Sequence, residues 1–365
     1  MIGNRAIAIL LGIALPGASL AGAGTTAPAA GTLLVLPVQD RSGDPAIARL
    51  VEQAFVGELG GRRSVVAGGT VRDVARTMRL RDPRRAPPSA LQRLIDATGA
   101  DAVLALTILR AERGAPPRLA LSAFELRSTG LEVSWAGFES ATGLDDKRPL
   151  GLGRIDRLEE LAERAARRLA RRCADRSPGR PAAPLRGELA VQVVDERMAA
   201  LEQGPLAVVP FDAIDADDAS LAAEIATDAA VTALWRAGRR VIWPGAVREI
   251  LLQRGRLARG GLAPLDRAAL RAALSPGVLV TGTVERFVET GQADALRPRV
   301  AVSLRVIAAD DGRLVAIGGI DADGHAHPGA FGRRTIHGLE TLLLRAQSEL
   351  VTRLLPARRH AGRAP

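Results

Sequence analysis

The sequence predicts an α/β fold made of two tandem repeats of one mixed-sheet unit, with helices packed on the sheet. Three observations carry that prediction. Two apolar runs each end in a proline, Leu-Leu-Val-Leu-Pro-Val at 33–38 and Leu-Ala-Val-Val-Pro-Phe at 206–211. Two hairpin turns centre on glycine, Ser128-Thr129-Gly130 and Asp310-Asp311-Gly312. Each copy then closes with a long stretch of helical apolar spacing.

Each proline-ended run suits a short strand buried on both faces, because proline cannot donate to a ladder. An Asp-rich turn follows in both copies, at 40–44 and 212–218. Next comes a helix, marked by Ile47, Leu50, Val51, Ala54 and Phe55 in the first copy and by Leu221, Ile225, Ala229, Thr232 and Ala233 in the second. A second short strand is expected at 64–66 and 240–243. A further helix starts near Thr70 or Gly245, and another spans 89–98 or 264–274. The back half is a three-strand meander. Its mostly apolar first strand lies at 101–109 or 277–284, its alternating second at 118–124 or 299–305, and its return at 131–139 or 313–320. The closing helices carry Ile155, Leu158, Ala162, Ala165 and Leu169, and Ile336, Leu339, Leu343, Ala346 and Leu350. The unit thus reads strand-helix-strand-helix-helix, meander, closing helix.

The first repeat therefore spans 32–173 and the second 205–355. A linker and bridging segment at 174–204 joins them, rich in turn formers at 177–184. Residues 188–204 read as a strand and a helical turn with no counterpart in the first copy. A basic tail occupies 356–365.

The first 21 residues read as a signal peptide. Arg5 supplies the positive end, residues 6–15 are apolar, Pro16-Gly17 break the run, and Ser19 and Ala21 are the small residues before the cleavage point. The apolar run is too short to span a bilayer, and no transmembrane segment is expected in the mature chain. Position 23 is Ala, so the cysteine that lipid anchoring through this signal requires is absent. A periplasmic or secreted location follows.

Charge is unevenly spread over the 365 residues. Residues 22–180 hold 26 basic and 19 acidic groups, whereas 181–355 hold 20 and 21. Nearly all the basic residues are Arg, so an Arg cluster says less here than it would against a Lys background. Arg164, Arg167, Arg168, Arg171 and Arg172 share the polar side of the first closing helix. Two readings stand: a solvated helix face, or a surface for an acidic partner, an anionic envelope polymer or lipid headgroups. Nucleic acid is not expected, because export removes it and aromatic residues for base stacking make up only 2%.

The strand ending in Pro210-Phe211, the strand Val278-Leu279-Val280-Thr281-Gly282-Thr283-Val284 and the hairpin around Asp311-Gly312 together resemble a known pattern. It is that of the anticodon-binding-domain-like units of bacterial envelope proteins, the group of the TolB N-terminal domain, the CsgG family and the penicillin-binding-protein activators. The first copy departs from it, with Val38 in place of Phe and Ala105-Leu106-Thr107 in place of the Thr-Gly pair. The resemblance implies binding to other envelope proteins or assembly into larger structures. A soluble subunit of an oligomeric CsgG-like secretion apparatus is therefore an alternative, and oligomerisation stays open. A membrane barrel is disfavoured, since its aromatic girdles are hard to build with no Tyr and three Trp.

Catalytic patterns are not found. The four histidines, His325, His327, His337 and His360, all lie late, and Cys173 has no His near it in sequence. Gly151-Leu152-Gly153 precedes a helix, but the third glycine position of a dinucleotide loop is Asp156. No cofactor is expected. Asp321, Asp323, His325 and His327 alternate along an extended segment, which puts two carboxylates and two imidazoles on one face as a candidate metal site. A divergent metal-dependent enzyme is the remaining alternative. The preferred expectation is a non-enzymatic envelope accessory or assembly protein acting by protein–protein contact.

Overall fold

The computed structural model describes residues 31–355 apart from 78–79, 81, 83–84, 128–131, 147–151, 179–184, 186, 196–203, 256–261, 292–295 and 326–334. The expected signal peptide and basic tail lie outside the described residues.

In the first repeat, β1 (Leu33–Val35) and β2 (Gln39–Asp40) are two pieces of one strand line, both parallel to β4 (Ala102–Glu112). Pro37 falls in the gap between them, where its missing N–H would break the ladder. Asp44 caps α1 (Pro45–Gly60) by accepting from the Ala46 and Ile47 N–H groups. Next come β3 (Val65–Val66), α2 (Gly69–Thr77) and α3 (Pro88–Thr98), the last ended by left-handed Gly99. The meander is β4, β5 (Arg118–Arg127) and β6 (Val133–Thr142), and α4 (Leu158–Ala174) closes the repeat. The strand order is β3-β1-β4-β5-β6.

The second repeat opens with β7 (Gly187–Val193), which lies in the segment expected to be a bridge. It then repeats the first: β8 (Leu206–Val208), β9 (Asp212–Ala213), α5 (Ala219–Arg236), α6 (Pro244–Gln253), α7 (Pro264–Leu274), β10 (Val278–Thr290), β11 (Arg297–Ala308), β12 (Leu314–Asp323) and α8 (Leu339–Leu354). The second sheet runs β7-β12-β11-β10-β8, with β9 beside β10. The likeness extends to irregularities, since the register shift in β4 at Leu109 recurs in β10 at Glu285. The counterpart of β3 is reduced to bridges: Val241 pairs with Leu206, and Ile242 pairs with Glu132 of the first repeat.

The two sheets stack in the same sense. On one face of the first sheet, Leu33, Val35, Leu104, Leu106 and Leu121 pack under α1 and α4. On its other face, Leu34, Ala105, Phe124, Ala136 and Phe138 share a core with α5 and α8 of the second repeat. Those two helices also cover Leu206, Val280 and Val302 of the second sheet. They are therefore buried on two sides, which explains the alanine-rich sequence of α5 and its buried Asp228 and Thr232. The far face of the second sheet meets α6 and α7 around Val209, Val247, Leu251 and Leu279. Among the described residues nothing packs on its remaining part, formed by Thr281, Thr283, Ser303, Arg305, Ile317 and Gly319.

The reason lies in the strands. Thr107 faces Ser122 in the first sheet and Thr283 faces Ser303 in the second, so the two are in equivalent register. Where the first sheet places Phe124 and Phe138 beside that pair, the second has Arg305 and Gly319. One face is apolar enough to bury helices and its counterpart is not.

Phe124 is fully buried and meets Trp243 edge-on at 6.3 Å, across the repeats. Phe124→Ala is expected to cost about 3–5 kcal/mol. In urea denaturation the loss should appear in a single transition, because the core it opens belongs to both repeats; two separated transitions would contradict this packing.

Candidate functional site

The seam between the repeats holds a cleft. After β8 the chain turns at Pro210, and the Phe211 N–H is held by Thr227 Oγ1 at 3.0 Å, a hydroxyl that itself donates to the Ala223 carbonyl at 2.8 Å. The Phe211 ring lies against Gly282, where a Cβ would clash with it. Glycine in the Val-Thr-Gly strand is thus the condition for seating Phe211, linking two parts of the motif noted in sequence. The adjoining cavity is about 510 Å³, floored by Phe124, Phe211, Leu251 and Leu252 and bordered by Arg85, Asp212, Glu224, Asp228 and Arg248. A second cavity of about 420 Å³ shares Arg85 and Arg248 and continues to Gln39, Arg41 and Leu80. The groove is therefore apolar at one end with cations at its waist.

Most of these charges are matched. Arg41 pairs with Asp82 at 2.9 Å and with Glu224 at 3.4 Å, and Arg85 pairs with the same two carboxylates. Asp228 is buried and accepts from the Ser122 hydroxyl at 2.6 Å, across the seam. Arg248 makes no hydrogen bond or ion pair among the described residues. The two cavity linings contain no histidine or cysteine, so the arrangement is one of apolar surface, guanidinium, carboxylate and hydroxyl groups, chemistry suited to holding a molecule in place.

A second polar cluster locks the seam elsewhere. Arg110 pairs with buried Glu340 at 2.9 Å and with Glu112 at 3.3 Å, and its guanidinium lies 5.9 Å from the centre of the Phe287 ring. Ser140 donates to Glu340, and Arg118 pairs with Glu289. Burial opposes the charge on Arg110, but Glu340, Glu112, Glu289 and Asp217 outweigh it and raise its pKa above the ordinary value. Burial raises the pKa of Glu289, helped by Glu340 and Glu112 and opposed by Arg118 and Arg110.

The five arginines of the first closing helix all lie on α4, each beside a carboxylate. Arg164 pairs with Asp146 and Glu160, Arg167 with Glu163, Arg168 and Arg172 with Glu139, and Arg171 with Glu58. Of the candidate metal set, Asp321 and Asp323 lie on β12 two residues apart. Asp321 meets Arg286 at 2.9 Å, and Asp323 meets Arg299 at 3.2 Å while accepting from the His325 N–H. His325 stacks edge-on with His337 at 6.2 Å. His327 lies outside the described residues, and among those described no group of three or more His, Cys, Asp or Glu is placed to hold a metal. Cys173 is buried, and desolvation, with Glu125 nearby, pushes its thiol up to about 12, so it is a poor nucleophile. In the acidic loop Asp218 caps α5 through the Leu221 N–H at 2.9 Å.

Sequence reasoning did not find Arg248, Glu289 or Glu340 as site residues. Glu289 and Glu340 meet arginines of the first repeat, and no local spacing marks a contact between repeats; Arg248 lines two cavities with no partner among the described residues.

The raised carboxyl of Glu289 yields a pH prediction. An acid whose pKa is higher folded than unfolded favours the fold most when protonated, and that contribution is lost as pH rises from the usual carboxylate range through the raised value. Glu289→Gln, which keeps the neutral form at every pH, is therefore expected to equal or exceed the parent in thermal stability at pH 7. The difference should shrink towards pH 4; a deficit at pH 7 would show that the Arg118 pair dominates instead.

No protein-family model matches this chain, and no curated protein sequence does. Among solved structures it is similar to the PelC dodecamer from Paraburkholderia phytofirmans, at 18% identity and a TM-score of 0.33 over 46% of this chain and 97% of that one. It is also similar to lipoprotein GNA1162 from Neisseria meningitidis, at 16% identity and 0.27 over 38% and 98%. A third is the LpoB C-terminal domain from Salmonella enterica, at 17% identity and 0.24 over 32% and 86%.

Proposed function

We propose that this chain is an exported, non-enzymatic accessory or assembly protein of the bacterial envelope that works by protein–protein contact through the open face of its second sheet. The observation that carries the reading is the unequal use of equivalent faces. The first sheet's face is filled by α5 and α8, while Thr281, Thr283, Ser303, Arg305 and Ile317 form a partly exposed surface with no described element on it. Short hydroxyl side chains beside one arginine and one isoleucine give a flat area with hydrogen-bonding groups and modest apolar content, like the less hydrophobic interfaces of non-obligate complexes. Export rests on the first 21 residues, whose charge, apolar run and small residues have the order of a cleavable signal. Contact rather than catalysis is favoured because the seam cleft holds binding groups and the lone thiol is deactivated by burial.

Two measurements test this. Mass spectrometry of the protein from the envelope fraction of its native host is expected to find a mature N-terminus at Gly22; an intact Met1 terminus would count against export. A photo-crosslinking residue at Thr283 or Ser303 is expected to trap an envelope protein in those cells, and Thr281→Arg should abolish the adduct while changing stability by no more than about 0.5 kcal/mol, as for surface substitutions generally. Absence of any adduct from both positions would remove the open face as the contact surface.

A further inference from the structure

The seam cleft has properties that contact through the second sheet does not use. It is a formed cavity of about 510 Å³ at a junction between two packed units, within the ~300–1,000 Å³ of small-molecule sites. Its floor is apolar, and Leu252 at its rim is 44% exposed although it is a large aliphatic side chain. Covering Phe211, Leu251 and Leu252 with an apolar chain removes apolar surface from water, which lowers the free energy.

Its polar groups point to one class of ligand. Glu224 is engaged by Arg41 and Arg85, and Asp228 is buried and accepts from Ser122. These carboxylates, and Asp212 beside them, are engaged within the protein. Arg248, on α6 one turn before Leu251 and Leu252, is different. It lines both cavities and has no hydrogen-bond or ion-pair partner among the described residues. A guanidinium presents a planar fork of donors that fits carboxylate and phosphate oxygens. An apolar floor with one uncommitted guanidinium at its polar end suits a molecule with the matching division.

We infer that the seam cleft binds a single-chain anionic amphiphile, its carboxylate or phosphate head on Arg248 and its apolar chain against Phe211, Leu251 and Leu252. The guanidinium supplies the head-group interaction, and the floor supplies the affinity of the chain. Since Phe124 and Arg85 come from the first repeat and the other contacts from the second, a bound chain would also bridge the repeats.

Titration calorimetry of the mature chain tests this, using sodium dodecanoate and dodecyl phosphate below their micellar concentrations and dodecanol as the uncharged control. One or both anions should bind saturably with one-to-one stoichiometry, the tighter one identifying the head group, and dodecanol should bind at least tenfold more weakly. Arg248→Gln should weaken anion binding by about tenfold or more, the scale of a lost charge-assisted hydrogen bond, with the melting temperature unchanged; Arg248→Lys should restore part of it. Ala223→Leu, which fills the cavity from α5, should abolish binding even if it alters stability, and circular dichroism would verify that it folds. No saturable binding of either anion, equal binding of dodecanol, or unaltered binding by Arg248→Gln would each overturn the inference. None of these outcomes depends on the crosslinking at Thr283 or Ser303, so the two readings fail separately.

Discussion

The burial of α5 and α8 between two sheets is the constraint on which the rest of the structure depends. A helix with a sheet on one side needs one apolar stripe, but these two serve two sheets at once. Alanine at 222, 226, 229, 230 and 233 keeps α5 slim enough to pack closely on both sides. Polar side chains on these helices must then find partners inside. Asp228 meets Ser122, Glu340 meets Arg110 and Ser140, and the Gln347 amide donates to the Ala226 carbonyl. Leaving such groups unmatched would cost more than the contacts return. The repeats are thus fixed in one arrangement by a shared core and by polar contacts that fit no other register.

That arrangement creates the cleft. Helices α5 and α6 line it beside the gap that Pro210 makes between β8 and β9, and the loop before α3 adds Arg85. The same proline in the first repeat, Pro37, is followed by Val38 rather than Phe, and Leu106 stands at the position of Gly282. Only the second repeat has both the ring and the space for it. The difference between Val38 and Phe211, a departure from a motif when seen in sequence, becomes the floor of a cavity in three dimensions.

How much was legible follows from the range of each signal. Apolar period, proline breaks and Asp-Gly turns act within one element, and they marked the order of strands and helices in both copies. Residues 187–193 were a strand without a place, because pairing with β12 across more than 120 positions leaves no trace in local spacing. The face that α5 turns towards the first sheet was equally hidden, since alanine satisfies a helical rhythm on every side. The α4 arginines were visible as a stripe, but their carboxylates Glu58, Glu139 and Asp146 come from other parts of the chain. Arg248 carried no signal at all, because its significance is that no partner for it lies among the described residues.

The two outer faces of the stack differ from the faces buried between the repeats. Units stacked in one sense form a heterologous series that extends whenever the last face suits the first. Here the leading surface is the outer side of α1 and α4, covered by pairs such as Arg164–Glu160, Arg167–Glu163 and Arg72–Glu52. The trailing surface replaces Phe124 and Phe138 with Arg305 and Gly319. Joining them would bury charges that water now solvates, against little apolar gain. The charge imbalance seen in the sequence therefore has a structural place: the first repeat presents its ion-paired helices at one end, while the second, nearly neutral, leaves a hydroxyl-rich sheet at the other.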